Sequence, residues 1–140
     1  MNKKKPIVEK VWNYKGYNCA VLFHPLGHRC GYIELPKTNK YYQKDVFDND
    51  LNIDCNGGLT YSDNYLYGVS TVEEDRWWIG WDYAHCWNGF DYKSYIKYYD
   101  KDHNYELQLE YVTGDYIAYL DDVIKDCENV VDQLIQIEKE

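Results

Sequence analysis

The sequence predicts an α+β fold, an antiparallel or mixed β-sheet with one long C-terminal α-helix packed on one face. Three observations predict it. Apolar and polar residues alternate in short runs through the first four fifths of the chain, the pattern of half-buried strands. After position 113 the period changes, and Ile117, Leu120, Ile124, Cys127, Val131 and Leu134 recur at three or four, which is a helix with one apolar stripe. The length of 140 residues suits one core, and no linker, repeat or low-complexity tract divides it, so residues 1–140 read as a single domain.

The elements follow in order. Ile7 and Val11, then Tyr17, Cys19, Val21 and Phe23, flank Lys15-Gly16 and read as a β-hairpin. "RCGYIEL" at 29–35 is a third strand ended by Pro36, and the polar stretch 37–50 is an irregular connection with room for one helical turn. "LNIDCNGGLTYS" gives two short β runs around Asn56-Gly57-Gly58, and "DNYLYGVSTVEED" reads as a solvated loop. "RWWIGWDY" is apolar almost throughout, as in a strand buried on both faces, with Trp77 and Trp81 on one side and Trp78 on the other. Residues 84–104 are mixed, with short helical turns, and "YELQLEYV" at 105–112 alternates as a strand. Thr113 is the expected N-cap of the long helix, with Asp115 in its first turn.

The charge restricts partners. The net charge is -9, and because five lysines and one glutamate fall in the first 15 residues, the rest of the chain is more acidic still. Binding to nucleic acid through phosphates needs clustered cations, so that class is not expected. A basic protein is the natural partner. No apolar run long enough for a secretory leader or a membrane span is visible, and five scattered cysteines, an odd number, argue for a reducing compartment, hence a cytoplasmic setting.

Four of the five tryptophans fall within "DRWWIGWDYAHCWNG" at 75–89, beside Asp82, His85 and Cys86. A carboxylate and an imidazole three residues apart, with a thiol next to them, can begin a zinc site. The remaining ligands would come from His24 and His28, four residues apart around Pro25 and Gly27, from Cys30 and from Cys55. The competing reading is a buried hydrogen-bonded pair in which the carboxylate orients the imidazole. The competing reading of His24, next to Pro25, is a loop residue; His103 reads as solvated, and Cys19 and Cys127 as core. The tryptophans serve packing first, with a ligand-stacking wall as the alternative. Thr60 and Ser62 after the glycine pair can face an anion-binding nest, and no phosphate loop, nucleophile elbow or deaminase signature is present.

Three blocks, "LGHRCGY" at 26–32, "CNGGLTYS" at 55–62 and "WWIGWDYAH" at 77–85, together resemble a family of small phage and prophage proteins with the pattern GHRCGY, HGGLTYS, WWIGFDCAH and a C-terminal helix. The resemblance singles out His28, Cys30, Gly57, Gly58, Asp82 and His85. The chain departs from that pattern at Asn56, where the family has histidine, and at Tyr83, where it has cysteine; Cys55 and Cys86 are neighbouring thiols that can take over. Some members of this pool or their look-alikes are anti-CRISPR inhibitors of Cas9-type nucleases. The leading expectation is therefore a phage-derived, non-enzymatic counter-defence protein in the bacterial host cytoplasm. It would bind a basic RNA-guided nuclease through Asp121, Asp122, Asp126, Glu128 and Asp132, over a structural metal or an Asp82–His85 clamp. The alternatives are a zinc-dependent hydrolase with an open position for water and a protein that binds a nucleotide signal against its tryptophan strand.

Overall fold

A computed structural model describes residues 4–47, 50–70, 75–85, 87–100 and 116–140. Five strands, β1 (Ile7–Tyr14), β2 (Tyr17–Phe23), β3 (Arg29–Glu34), β4 (Tyr61–Asp63) and β5 (Trp78–Asp82), form one sheet in the order β1-β2-β3-β5-β4. Every neighbouring pair is antiparallel. Two helices, α1 (Tyr92–Tyr99) and α2 (Leu120–Glu138), complete the described fold, which is the α+β arrangement that the two hydrophobic periods predict. No helix among the described residues is long and apolar enough to cross a membrane.

α2 covers one face of the sheet. Its buried stripe of Val123, Cys127, Val130, Val131 and Leu134 meets Cys19, Val21, Ile33, Ile79 and Trp81. The opposite face carries Ala20, Leu22, Cys30, Tyr32 and Trp78, covered by Leu66 with Tyr61, Tyr67 and Val69. β5 is thus buried on both sides, with Trp77 and Trp81 toward α2 and Trp78 away from it. The segment expected as a solvated loop contributes to this second layer: Leu66 is buried, and Ser70 accepts a hydrogen bond from Trp78 Nε1 at 3.0 Å.

A bulge in β1 changes which residues face inward. The register runs Val8↔Leu22 and then Lys10↔Val21, which leaves Glu9 as the extra residue. Beyond it the parity inverts, so Trp12 and Tyr14 pack toward α2 while Val11 is 52% exposed. The bulge also delivers Glu9 to Arg29. All five guanidinium N–H groups are used: Nε and Nη2 donate to Glu9 at 2.6 and 3.1 Å, Nη1 to Asp91 at 2.8 Å and to the Ala118 carbonyl at 3.0 Å, and Nη2 also to Ser94 at 3.1 Å. The side chains of Arg29, Glu9 and Asp91 are 4%, 3% and 6% exposed. This buried fork ties β1 and β3 to the start of α1 and to the approach to α2.

Three expectations change in detail. Residues 51–60 form a loop rather than a strand, because Gly57 and Gly58 adopt φ of +71° and +82°, outside the extended region; only Tyr61–Asp63 pairs with β5. Residues 92–99 make a full eight-residue helix, begun by Asp91, whose side chain accepts from Ser94 N. α2 starts at Leu120 with Tyr119 as its N-cap, and Asp122 accepts from Tyr119 N at 3.0 Å. The stretch before it is held extended, with Ala118 buried and its carbonyl on Arg29. The proposed strand at 105–112 and the proposed cap at Thr113 with Asp115 lie outside the described residues, as does His103.

Candidate metal centre

"HPLGH" joins β2 to β3 as a tight hairpin. Pro25 fixes the first turn residue, Gly27 takes φ +89°, His24 N donates to the His28 carbonyl at 2.8 Å, and Gly27 N donates to the His24 carbonyl at 2.9 Å. That geometry makes His24 and His28 the closing pair of the hairpin. Their rings stack with centroids 5.3 Å apart and planes 2° from parallel. Cys30 lies two residues further on, so the strand period puts its thiol on the same face as His28. One ligand atom from each of His24, His28 and Cys30 falls within 4.8 Å of the others, and these three side chains can hold a metal ion.

Their surroundings suit ligation. Burial is the chief cause that brings His24 down to about 4, with His28 adding to the effect and Asp82 opposing it. Burial lowers His28 too. Both imidazoles are therefore neutral at pH 7, each with a lone pair on one ring nitrogen. Burial pushes the Cys30 thiol up to about 12, so it becomes a ligand only when a cation replaces its proton. His24 Nε2 also lies 3.3 Å from the Tyr32 hydroxyl, which fixes the ring's orientation.

The group borders a cavity of about 310 Å³ on the face away from α2, lined by His28, Cys30, Tyr32, Thr60, Tyr61, Trp81, Asp82 and Ala84. Asp82 is the register partner of Cys30 across β3 and β5. Its carboxylate is already oriented: Oδ2 accepts from Thr60 Oγ1 at 3.0 Å and Oδ1 from Ala84 N at 3.1 Å. Asp82 stands beside the three-ligand group, outside the set whose ligand atoms lie within 4.8 Å.

The residues expected from sequence separate into distinct places. His28 and Cys30 come together, and His24, for which the sequence offers both a ligand and a loop reading, joins them; the signal is the spacing of His-x3-His-x-Cys around a Pro-Leu-Gly turn. Asp82 and His85 are neighbours without a hydrogen bond, at 3.7 Å between Oδ1 and Nδ1. The His85 ring lies against Gly57, where an added Cβ would fall 1.6 Å from Nε2, and Trp87 meets it edge-on at 4.7 Å. Among the described residues, His85 Nε2 is buried without a hydrogen-bond partner.

Cys55 lies elsewhere. It lines a second cavity of about 340 Å³ with Asp54, Asn56, Tyr83, Tyr116, Asp126 and Asn129, and burial pushes its thiol up to about 12. Cys86 is outside the described residues. Of the two departures from the phage pattern, Asn56 donates to the Asp82 carbonyl and to Asn88 and accepts from Trp87. Tyr83 faces α2, where it receives Trp81 Nε1 and donates to Asp126. The strand tryptophans are bonded within the fold: Trp77 to the Lys44 carbonyl, Trp78 to Ser70 and Trp81 to Tyr83. Trp87, at 51%, is the one tryptophan among the exposed large hydrophobic residues described.

Four of the five acidic positions on α2 have partners inside the molecule. Asp122 caps the helix, Asp126 accepts from Tyr83, Glu128 from Trp12 Nε1 at 3.3 Å, and Asp132 from Lys15 at 2.9 Å and Tyr14 at 3.3 Å. Asp121 is exposed in the first turn. No family model, curated protein or solved structure matches the chain.

Proposed function

We propose that the chain is a zinc-dependent hydrolase of a small molecule, with zinc held by His24, His28 and Cys30. The observation that carries this reading is that the three ligand atoms lie within 4.8 Å of one another and that two of the three residues, His28 and Cys30, line a cavity. Two neutral imidazoles and a thiol are a donor set that suits zinc at about 2.0–2.3 Å per bond. Structural zinc sites are closed by four protein ligands, whereas catalytic ones keep three and leave a position for water. Three ligands beside an accessible cavity favour the second kind, and zinc there lowers the pKa of its bound water toward neutrality.

Elemental analysis of the untagged full chain tests the reading. About one zinc per chain is expected in the wild type, with loss in His24→Ala, His28→Ala and Cys30→Ser and retention in Cys55→Ser and His85→Ala. Zinc that stays in the first three variants, or leaves with Cys55 or His85, refutes this ligand set.

A second reading is an anti-CRISPR protein that presents Asp121, Asp122, Asp126, Glu128 and Asp132 to the basic nucleic-acid channel of a Cas9-type nuclease. The net charge of -9 favours it, because complementary fields raise association rates. The internal partners of four of these carboxylates reduce what they can offer another molecule. Reversing Asp121, Glu128 and Asp132 to lysine abolishes inhibition of target cleavage if this reading holds, and leaves it unchanged if it fails.

A further inference from the structure

We propose that the His24–His28–Cys30 centre takes an uncharged acyl compound, an ester or amide, and that Asp82 is the general base for its hydrolysis; this rests on the zinc reading above. The cavity supplies the first argument. Among its described lining residues there is no lysine or arginine, and its walls include the Tyr32 and Tyr61 rings, packed edge-on at 5.3 Å and 84°. Arg29, between His28 and Cys30 in sequence, is committed through all five N–H groups to Glu9, Asp91, Ser94 and the Ala118 carbonyl. Sites for phosphate esters use arginine, lysine or several backbone N–H groups to offset the anion's charge. None of those cations is available here.

Charge gives the second argument. A divalent zinc ion with one thiolate from Cys30 and the nearby carboxylate of Asp82 is neutral as a group. A phosphate or carboxylate substrate would enter with no net attraction and would meet the Asp82 anion directly. A carbonyl oxygen needs only polarisation, which zinc supplies as a Lewis acid. The volume of about 310 Å³ is at the lower end of the range for ligand pockets, and so admits a small acyl group or one end of a longer molecule.

Asp82 fits the base. It stands opposite Cys30 on the adjacent strand, beside the ligand group, and Thr60 and Ala84 N hold both carboxylate oxygens in place. A carboxylate has about four acceptor sites, so two accepted bonds leave capacity for a water proton. In the step, the water oxygen bonds to the carbonyl carbon as its proton passes to Asp82. The tetrahedral adduct then breaks the carbon–oxygen or carbon–nitrogen bond, and Asp82 returns the proton to the departing alkoxide or amide nitrogen. The products are a carboxylic acid and an alcohol or amine, with no change of oxidation state.

The test uses the full chain loaded with cobalt(II), whose visible absorption reports its ligands, and two probes, acetohydroxamate and inorganic phosphate. Acetohydroxamate is expected to shift the spectrum at millimolar concentration, and phosphate to leave it unchanged. With zinc, p-nitrophenyl acetate is hydrolysed and bis(p-nitrophenyl) phosphate is not. Asp82→Asn keeps its zinc while kcat falls by about 10²-fold or more at unchanged KM, the size expected for loss of a general base. Phosphate that shifts the spectrum as strongly as acetohydroxamate, turnover of the phosphodiester, no turnover of the acetate ester, or full kcat in metal-loaded Asp82→Asn overturns the assignment while leaving the metal centre standing. A chain that takes up no cobalt overturns the metal centre itself. If Asp82→Asn loses its metal, Thr60→Ala is the second variant: it frees one carboxylate oxygen at a distance from the ligands, and a kcat equal to the wild type's with metal retained overturns the role given to the held carboxylate.

Discussion

Replacing Arg29 with alanine removes the one cation in a buried set of two carboxylates, a serine hydroxyl and a carbonyl. The three bonds to Glu9 and Asp91 sum to roughly 4.5–9 kcal/mol if each counts for about 1.5–3 kcal/mol. That sum overshoots, because the space left by the guanidinium admits water and the carboxylates can take up protons. Breaking a buried ion pair from one side costs about 3–5 kcal/mol in measured cases, and this is the loss expected here. At about 3 °C per kcal/mol for a chain of this size, Tm falls by roughly 10–15 °C. Arg29→Lys keeps the charge but lacks the planar fork that meets Glu9 through two nitrogens and Asp91 through a third, so it recovers only part of the loss. Urea unfolding with a linear-extrapolation fit measures both variants. A loss below about 1 kcal/mol for Arg29→Ala would refute the view that this fork holds β1, β3 and α1 together. Arg29 lies between two proposed zinc ligands, so weaker zinc retention accompanies the destabilisation.

Two further outcomes follow from the same geometry. Burial alone would raise the Asp91 carboxyl, but hydrogen bonds from Arg29 and Ser94 outweigh it and hold its pKa below the ordinary 3.8. A folded pKa below the unfolded one gives stability that is present above about pH 4 and lost as pH falls through the folded value; the urea midpoint therefore drops more steeply below pH 4 in the wild type than in Asp91→Asn, and equal slopes would contradict the shift. At the glycine pair, Gly57→Ala places a Cβ 1.6 Å from His85 Nε2 on top of a φ of +71°, whereas Gly58→Ala meets nothing within 4 Å at φ +82°. The first is expected to cost about 2–4 kcal/mol and the second about 1 kcal/mol; His85→Ala in the Gly57→Ala background recovers the difference, and equal costs for the two single variants would show that the His85 ring does not rest on Gly57.

The sheet and long helix were legible because their hydrophobic periods are uninterrupted. Trp77, Trp78 and Trp81 alternate across β5 as written, and Leu120 through Leu134 keep one stripe. Ile7 and Val11 suggest one parity for the whole of β1, which puts Val11 inside; the bulge at Glu9 has no local signature, and the partner it serves, Arg29, is 20 residues away. Apolar Leu51 and Ile53 alternate like a strand, yet 51–60 is a loop, because the glycines that follow turn the chain away from the sheet. Of the candidate centre, His28 and Cys30 stand out in the sequence, while His24 is legible as one of two readings, because its position before Pro25 also suggests a loop. A tight hairpin makes the residues flanking its turn neighbours, so a histidine beside proline can be both a turn residue and a ligand. Asp82 and His85 were found as a pair by adjacency in sequence, but the strand end directs Asp82 toward Cys30 and His85 toward Gly57.

The extra residue in β1 lets one strand serve both layers of the fold. In a strictly alternating strand Val8 and Trp12, four residues apart, would share a face; the extra position sends Val8 to the layer of Leu66 while Trp12 and Tyr14 meet α2. Deleting Glu9 is thus expected to keep Trp12 and Tyr14 under α2 and to cost the carboxylate that Arg29 uses.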